Sequence, residues 1–474
     1  MVDEELAFTP ATELLELVAT KQVSPVELTE LYYSRIDRLD SQLNSYLLLT
    51  RETAMEEARA AEQAVMRGDE LGALHGLPIA IKDTQATKGV TTTVGSLVFK
   101  DRVPDDDATV VARIKQAGAI MLGKTNTPEF GLVGMCENRL GDDGRNPWNT
   151  DRTPGGSSGG AAAAMAACLC PLATGGDGGG SIRIPASFCG IYGIKPTQGR
   201  VSLYNGVPST VPNQFAQQGP LSRTVKDSSL LLQVMAGHDP KDPTSMREPV
   251  PDFLAALSKD IKGLRVAWSP DYGFAAVDPE VLAVTSKAAQ VFEELGCHVE
   301  EPDLVMDSPY DGYGPVYETN AYALYAQYLE SHGDQMTQFA RDFIEAGSKV
   351  TGADFARAIG LMDKLKGQMT DFFEEYDLLL SPTLALPAMP VGEFPEEIAG
   401  RPAYPHRYFS FHPFTYPINA IGHAAASVPA GFSADGLPIG LQIVGKMGGE
   451  ETVIAASAAF ERARPWIQHR PPVS

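Results

Sequence analysis

Apolar side chains recur at helical spacing through the first 65 residues of the chain. Two stripes at three- and four-residue spacing are Leu14, Leu17 and Val18, and then Leu28, Leu31, Tyr32 and Ile36. Ser24 precedes Pro25 and stands three residues before Glu27, as in a capping box, which predicts a helix that begins at Pro25. Thr9 before Pro10 predicts an earlier helix start of the same kind. Residues 1–70 are therefore predicted to be a helical packing layer.

From Gly76 onward, short apolar runs alternate with helical stretches. Strands are predicted at 77–81, 119–122, 171–174, 264–268 and 298–299, with helices at 108–117, from Gly160, and at 279–295. Residues 425–429 and 439–444 flank a turn at 434–436 and predict a hairpin. Such alternation is typical of an α/β fold. We predict one large α/β/α layered domain whose central mixed β-sheet is covered by helices.

No linker, charge run or internal repeat divides the rest of the chain. The length of 474 residues, at about 150 residues a domain, suggests roughly three domains, but that ratio is only a soft guide. We instead predict a single domain over 71–474, in which residues 303–400 are a largely helical region that shapes the substrate cleft.

Charge and cysteine content exclude several classes of function. The net charge of -22 argues against a nucleic-acid or anionic-membrane surface, because both need clustered positive charge. Five cysteines and no basic, apolar leader favour the cytoplasm, and no apolar run approaches the roughly 18 residues of a membrane helix. The histidines form no HExxH motif and the cysteines no CxxC motif, so we predict neither a metal site nor a cofactor.

Two glycine loops each present serine. Residues 154–160 read Pro-Gly-Gly-Ser-Ser-Gly-Gly, and residues 175–185 contain two glycines before Asp177 and three glycines between Asp177 and Ser181. Either loop alone is typical of an ordinary turn. A phosphate-binding loop would need Gly-Lys-Ser/Thr, which is absent, and residues 147–154 cannot make the buried strand that precedes a GxSxG nucleophile elbow.

A lysine could activate one of these serines. Lys82 closes the apolar run 77–82, where burial would disfavour the ammonium form and lower its pKa toward neutrality. A lysine after a strand is usually exposed to solvent, but its occurrence together with two serine loops favours a general base.

These segments together resemble the amidase signature family. The resemblance covers Gly-Leu-Pro-Ile-Ala-Ile-Lys-Asp at 76–83, Gly-Lys-Thr-Asn-Thr-Pro-Glu-Phe at 123–130, Asn-Pro-Trp at 146–148, both glycine loops and Gly-Ile-Lys-Pro-Thr at 193–197. Later landmarks lie at 219–223, 381–383, 417–419 and 428–442. Ser157 and Ser181 stand 24 residues apart, as in the family pattern.

The resemblance implies a role for each residue of the two loops. Ser181 would be the nucleophile, Ser157 the bridging serine on a cis peptide after Gly156, and Lys82 the base that takes the proton of Ser181 through Ser157. Backbone N–H groups of the oxyanion hole would come from Gly178, Gly179, Gly180 and Ser181. Side chains that would hold the loops by hydrogen bonds are Ser158, Asp177 and Arg183.

The chain departs from the family pattern at three places. Gly176 replaces a common threonine and Gly178 a residue other than glycine, so we expect the run of three glycines to loosen the oxyanion loop. His423 stands where glutamine is common, and we interpret it as structural.

The family contains both free-standing amidases and the glutamine-hydrolysing A subunit of a tRNA-dependent amidotransferase. That subunit usually carries an arginine in a Tyr-Asp-Gly segment, whereas residues 310–314 here read Tyr-Asp-Gly-Tyr-Gly. Without that cation for an amino-acid carboxylate, a hydrolase of small, aryl or alkyl amides is favoured, with esters and carbamates as further substrates. The partner is then a small-molecule amide, with a homodimer left open. A dead scaffold would have lost Lys82, Ser157 or Ser181, and all three are present.

Six tyrosines lie between residues 310 and 328, mostly three or four apart. Their spacing favours packing of a helix, and the alternative is an aromatic-lined substrate pocket. Both interpretations stay open from the sequence.

Overall fold

The computed structural model describes residues 4–207, 211 and 214–474. Its strands are β1 (Tyr46–Leu49), β2 (Pro78–Lys82), β3 (Ile120–Thr125), β4 (Ala173–Asp177), β5 (Tyr192–Lys195), β6 (Gln217–Ser222), β7 (Arg265–Trp268), β8 (His298–Glu300), β9 (Leu378–Pro382), β10 (Glu397–Ile398), β11 (Arg401–Pro402), β12 (Ala425–Phe432) and β13 (Pro438–Gly445). Its α-helices are α1 (Ala11–Ala19), α2 (Pro25–Leu43), α3 (Arg51–Arg67), α4 (Thr109–Gln116), α5 (Gly159–Ala166), α6 (Arg183–Cys189), α7 (Val225–Met235), α8 (Phe253–Ala256), α9 (Pro279–Glu294), α10 (Pro309–Tyr325), α11 (Leu329–His332), α12 (Gln338–Lys349), α13 (Gly352–Glu375), α14 (Tyr416–Ile421) and α15 (Glu450–Ala463).

The predicted start of α2 is confirmed. The N–H of Val26 donates to the Oγ of Ser24 at 3.0 Å, and the N–H of Ser24 donates to the Glu27 carboxylate at 2.9 Å, which completes the capping box. The first helix starts one residue later than its Thr-Pro pair suggested, because Pro10 is itself the N-cap of α1.

A mixed sheet forms the centre of the molecule, as predicted. Among the described residues it has eleven strands in the order β1-β3-β2-β4-β6-β5-β12-β13-β9-β7-β8. The pairs β2/β3, β2/β4, β7/β8 and β7/β9 are parallel and the others are antiparallel. The predicted hairpin is the antiparallel pair β12/β13.

Helices cover both faces of this sheet. In β9, Leu378 and Leu380 belong to one hydrophobic core, whereas Leu379 between them belongs to another. Because successive strand residues point to opposite faces, the two cores lie on opposite sides of the sheet. The first core includes residues of α1 to α3, α7 and α15, and the second includes residues of α10, α12 and α13. This is the predicted α/β/α layering.

Two strands lie inside segments that we expected to be helical. β1, between α2 and α3, pairs with β3, and β9 follows α13 and pairs with both β13 and β7. Their apolar runs are only three or four residues long, which periodicity alone does not distinguish from a buried helix segment. Residues 303–376 are largely helical, and the chain then re-enters the sheet.

The topology places Lys82 near the second glycine loop. The parallel strands β2 and β4 are in register at Ala80 and Ala173, so their carboxyl ends lie at the same edge of the sheet. β2 ends at Lys82 and β4 ends at Asp177. Among the described residues, no helix combines the length and the apolar character needed to cross a bilayer.

Candidate active site

Lys82 lies at the centre of the site. Its side chain is buried, with its Nζ 2.7 Å from the Oγ of Ser157 and 3.0 Å from the Oγ of Ser158, and it donates to the carbonyl of Gly176 at 3.3 Å. Burial lowers the pKa of Lys82 to about 7, against the weaker opposing effect of Asp177. A substantial fraction of the amine is therefore neutral near pH 7, and only the neutral amine can accept a proton.

Ser157 follows a cis peptide bond from Gly156. A Cβ at position 156 would collide with the backbone of Met135, so only glycine fits there. The hydroxyl of Thr127, just after β3, donates to the carbonyl of Ser157 at 2.8 Å and so holds the following peptide, between Ser157 and Ser158. A Cβ on Gly131 would lie 3.5 Å from the Oγ of Ser157, so the chain passes close to this hydroxyl at Gly131.

Ser158 joins the two glycine loops. Its backbone N–H donates to the carbonyl of Ser181 at 3.2 Å, and its Oγ accepts the N–H of Gly176 at 3.2 Å. The predicted nucleophile Ser181 is 8% exposed, against 3% for Ser157 and 2% for Lys82. Of the three it is the one most open to a small molecule.

A buried ion pair anchors the second loop, at the position predicted for Asp177 and Arg183. Asp177 accepts hydrogen bonds from the N–H of Gly180 at 2.7 Å and from the Arg183 guanidinium at 2.9 and 3.0 Å. Arg183 also donates to Asn419 and Gln442, each at 2.6 Å. Burial alone would raise the pKa of the Asp177 carboxyl, but the charge and hydrogen bonds of Arg183 hold it well below its usual range.

Asn419 and Gln442 were not assigned a role from the sequence, although they lie in the family landmarks at 417–419 and 428–442. Asn419 donates from its amide to the carbonyl and carboxylate of Asp177, each at 2.9 Å, and Gln442 donates to the carbonyl of Phe414 at 2.9 Å. The signal that could have found them is a buried amide side chain beside an apolar run, which requires a polar partner.

The loop from Gly178 to Ser181 presents backbone N–H groups. The N–H of Gly180 is already bound by Asp177, whereas those of Gly178, Gly179 and Ser181 make no hydrogen bond within the described part of the chain. Unpaired N–H groups beside a serine are the donors that an oxyanion hole requires.

Aromatic rings pack against this loop. Tyr313 of α10 has its ring centroid 4.7 Å from that of Phe215, 5.4 Å from Tyr317 and 5.7 Å from Phe409. A Cβ on Gly179 would lie 3.7 Å from the ring of Phe409. Tyr313 thus packs within α10 and borders the glycine loop at once.

A second aromatic pair lies beside Gly131. The ring of Phe130 stacks on that of Tyr325 with centroids 3.9 Å apart and planes within 8°. Since Gly131 approaches the hydroxyl of Ser157, this pair belongs to the surroundings of the first serine loop.

His423 makes contacts of the structural kind that we expected. Its Nδ1 lies 2.9 Å from the carbonyl of Gly445, and its ring packs 5.0 Å from that of Phe373. Burial lowers the pKa of His423 to about 4, so the ring is neutral at pH 7.

Comparisons with known proteins match nearly the whole chain. The family model Amidase matches residues 27–454. The acylamidase of Rhodococcus erythropolis is 38% identical, over 99% of this chain and 98% of its own. The A subunit of glutamyl-tRNA(Gln) amidotransferase from Moorella thermoacetica is 39% identical, over 98% of this chain and 99% of its own.

A solved structure of a bacterial aryl acylamidase of the amidase signature family superposes with a TM-score of 0.91 at 34% identity, and covers 97% of each chain. Family model, relatives and architecture therefore coincide over nearly the whole length. The chain belongs to the amidase signature family and is an enzyme that hydrolyses amide C–N bonds.

Proposed function

We propose that the enzyme cleaves amides of aryl or bulky alkyl groups through an acyl-enzyme on Ser181, with Ser157 and Lys82 as a proton relay. The observation that carries the relay is the 2.7 Å contact between the Lys82 Nζ and the Ser157 Oγ in a buried site. A pKa of Lys82 lowered to about 7 supports its role as a general base.

The proposed reaction proceeds in two halves. The Oγ of Ser181 attacks the amide carbon while its proton passes to Ser157 and the proton of Ser157 passes to Lys82. The tetrahedral oxyanion accepts hydrogen bonds from the free N–H groups of the loop, and the same relay returns the proton to the departing nitrogen. Water then attacks the ester by the same route. The sum is amide plus water giving a carboxylic acid and an amine, or ammonia.

The preference for aryl or bulky alkyl amides rests on the rings around the loop. Phe409 and Tyr313 border Gly179, and Phe130 stacked on Tyr325 lies beside the first serine loop. Aromatic faces gain free energy by covering apolar surface, which a small aliphatic amide does not offer. The acylamidase and aryl acylamidase relatives support the same substrate class. Activated esters and carbamates would enter by the same chemistry.

The amidotransferase subunit is the second candidate, because several relatives carry that name. In the Tyr-Asp-Gly segment of the present chain, the hydroxyl of Tyr310 donates to Glu318 at 3.1 Å and lies 2.7 Å from the Nε2 of His406. Burial lowers the pKa of His406 to about 4, so this pair supplies no cation for an amino-acid carboxylate. We therefore expect hydrolysis of a nitroanilide to exceed that of glutamine.

The nucleophile is tested by trapping. Fluorophosphonate treatment followed by peptide mass spectrometry is expected to place the adduct on Ser181, and Ser181→Ala is expected to abolish both labelling and turnover. An adduct on Ser157, or full activity without an adduct, would falsify the assignment.

The substrate class is tested by comparing kcat/KM for a nitroanilide, acetamide and glutamine under the same conditions. A preference for acetamide would exclude the aromatic pocket, and a preference for glutamine would favour the amidotransferase subunit.

A further inference from the structure

Two hydroxyl groups from distant parts of the chain hold consecutive carbonyls of the glycine loop. The hydroxyl of Tyr313, in α10, donates to the carbonyl of Gly178 at 2.7 Å. The Oγ1 of Thr415, the residue before α14, donates to the carbonyl of Gly179 at 2.7 Å. Neither residue lies in the glycine loops or in the strand that carries Lys82.

Holding these carbonyls fixes the direction of the N–H groups that follow them. In a trans peptide the N–H points opposite to the C=O of the same plane. The plane between Gly179 and Gly180 is therefore held at both ends, by Thr415 on its oxygen and by Asp177 on its N–H. The plane between Gly178 and Gly179 is held by Tyr313 on its oxygen alone, which leaves the N–H of Gly179 directed away from Tyr313 and free for a ligand.

The close approach of the two hydroxyls explains two of the three glycines. A Cβ on Gly179 would lie 2.7 Å from the hydroxyl oxygen of Tyr313, and a Cβ on Gly180 would collide with Thr415. A Cβ on Gly178 would meet nothing within 4 Å. Gly179 and Gly180 thus permit the two contacts, whereas Gly178 adds conformational freedom that something else must remove.

The packing around Tyr313 constrains its hydroxyl to contact Gly178. Tyr313 is fully buried, and its ring is enclosed by Phe215, Tyr317 and Tyr416. Burial raises the pKa of Tyr313 well above its usual value, so the hydroxyl keeps the proton that it donates.

Thr415 has a competing neighbour in His412, whose Nδ1 lies 3.2 Å from the Thr415 hydroxyl. The Nε2 of His412 lies 3.1 Å from the carbonyl of Tyr408, which requires the imidazole proton to be on Nε2. Burial lowers the pKa of His412 to about 3, so the ring is neutral and Nδ1 is an acceptor, as is the carbonyl of His412, which lies 3.1 Å from the Thr415 Oγ1. The shortest contact of the Thr415 hydroxyl remains the carbonyl of Gly179.

We propose that Tyr313 and Thr415 are positioning residues that orient the peptides of the oxyanion hole through the carbonyls of Gly178 and Gly179. This inference rests on the proposed function, since it concerns the loop beside Ser181. It assigns to the tyrosine-rich helix a part in the reaction and not only in packing. Because an oxyanion hole acts on the transition state, the two hydroxyls should affect turnover more than substrate binding.

The test removes each hydroxyl while keeping its shape. Removing one direct donor of an oxyanion hole costs about 10²- to 10³-fold in kcat. The hydroxyls of Tyr313 and Thr415 bind the loop carbonyls and not the oxyanion itself, so their loss should cost less. We expect Tyr313→Phe and Thr415→Val each to lower kcat by roughly 10- to 100-fold with little change in KM. The affinity of a trifluoromethyl ketone, which forms a tetrahedral oxyanion on the nucleophile, should fall by a similar factor.

Matched controls remove equally buried hydroxyls outside the site. Tyr33 donates to the carbonyl of Leu122 at 3.0 Å, and Thr285 donates to the carbonyl of Val281 at 2.7 Å. Tyr33→Phe and Thr285→Val should leave kcat, KM and ketone affinity unchanged. If one of the two site variants does not fold, the other still tests the proposal.

The outcomes separate this inference from the function on which it rests. A wild-type enzyme that hydrolyses no amide, or that is not labelled on Ser181, refutes the proposed function. An active, Ser181-labelled wild type with Tyr313→Phe and Thr415→Val variants that keep kcat and ketone affinity refutes the positioning role alone. A rise in KM at unchanged kcat does the same, because it indicates packing of the substrate pocket.

Discussion

Burial alone does not distinguish Lys82 from two other lysines of the core. Burial lowers the pKa of Lys82, Lys124 and Lys195 to about 7 in each case. Lys124 contacts Gln85 and two threonines, and Lys195 contacts backbone carbonyls and an amide. Only Lys82 lies beside two serine hydroxyls of the glycine loop. The neighbours of the amine, and not its pKa, identify the proposed base.

We expect kcat/KM for a nitroanilide to rise with pH through about 7 and then to level off. Below the pKa of Lys82 the ammonium form dominates and cannot accept the proton of Ser157. Lys82→Ala should lose several orders of magnitude in turnover, and its residual rate should lack this inflection. A wild-type profile that is flat between pH 6 and 8 would contradict a lysine base.

The three glycines of the loop should differ in their tolerance of a methyl group. Gly178→Ala adds a Cβ in open space, whereas Gly179→Ala drives one against the hydroxyl of Tyr313. We expect Gly179→Ala to reduce the free energy of unfolding by about 1 to 3 kcal/mol and Gly178→Ala to leave it within about 0.5 kcal/mol. Denaturant unfolding of the two variants measures the difference. Equal stabilities would mean that the loop is not held against Tyr313.

At the scale of elements, one buried carboxylate joins a distant helix to the turn beside Ser157. Glu129 accepts hydrogen bonds from the hydroxyl of Ser96 at 2.6 Å and from the N–H and hydroxyl of Thr337 at 2.6 and 2.7 Å. Thr337 is the N-cap of α12, and Glu129 precedes Phe130 and Gly131. The start of α12 is thus fastened to the turn that borders the first serine loop.

Glu129→Gln is expected to loosen α12. One acceptor oxygen becomes an NH₂ group that faces donors, and a buried donor left without its acceptor costs about 1 to 3 kcal/mol. Hydrogen exchange of residues 338–349 should accelerate. Glu345→Gln is the matched control, since that exposed glutamate of α12 pairs only with exposed Lys349 and should change little. Unchanged exchange in the Glu129 variant would show that α12 is held by its apolar face alone.

At the scale of the whole molecule, the buried lysines should make folding release protons. Unfolded lysine has a pKa of about 10.4, so at about pH 7.5 to 8 it is charged when unfolded. Lys82, Lys124 and Lys195 are mostly neutral in the fold at that pH, and the folded pKa is below the unfolded one. Stability contributed by these groups therefore rises with pH from about 7 toward 10.

Acidic groups whose pKa is raised in the fold oppose this proton release only weakly at about pH 7.5 to 8. Glu137 and Glu461, whose pKa burial raises to about 7, have lost most of their protons by about pH 8 in both states. The buried thiols keep their protons in the fold and ionise in the unfolded chain mainly above about pH 8.

Mixing weakly buffered protein at about pH 7.5 with concentrated guanidinium chloride should therefore raise the pH, by net uptake on the order of one to two protons per chain. The denaturant midpoint should also be higher at pH 8 than at pH 7. Net proton release would mean that the three lysines are charged inside the fold.

Features that depend on neighbours in the chain were predictable from the sequence. The capping box at Ser24 and the alternation of strands and helices from Gly76 use contacts a few residues apart. Lys82 and the two serine loops were found because each lies in a short, dense motif. The strands β1 and β9 were missed, since three or four consecutive apolar residues carry too little periodicity to distinguish a strand from a buried helix.

Hydrogen bonds between residues far apart in the sequence were decided only by the tertiary structure. Tyr313 reaches Gly178 over 135 residues and Thr415 reaches Gly179 over 236. In the sequence a tyrosine at helical spacing is equally consistent with packing, and a threonine before a helix is an ordinary residue. The sequence by itself pointed to Lys82, Ser157 and Ser181 as the proposed reacting groups, because these side-chain types stand in short motifs. The tertiary structure decided what holds those groups in position, because a hydrogen bond of 2.7 Å depends on where distant backbones meet.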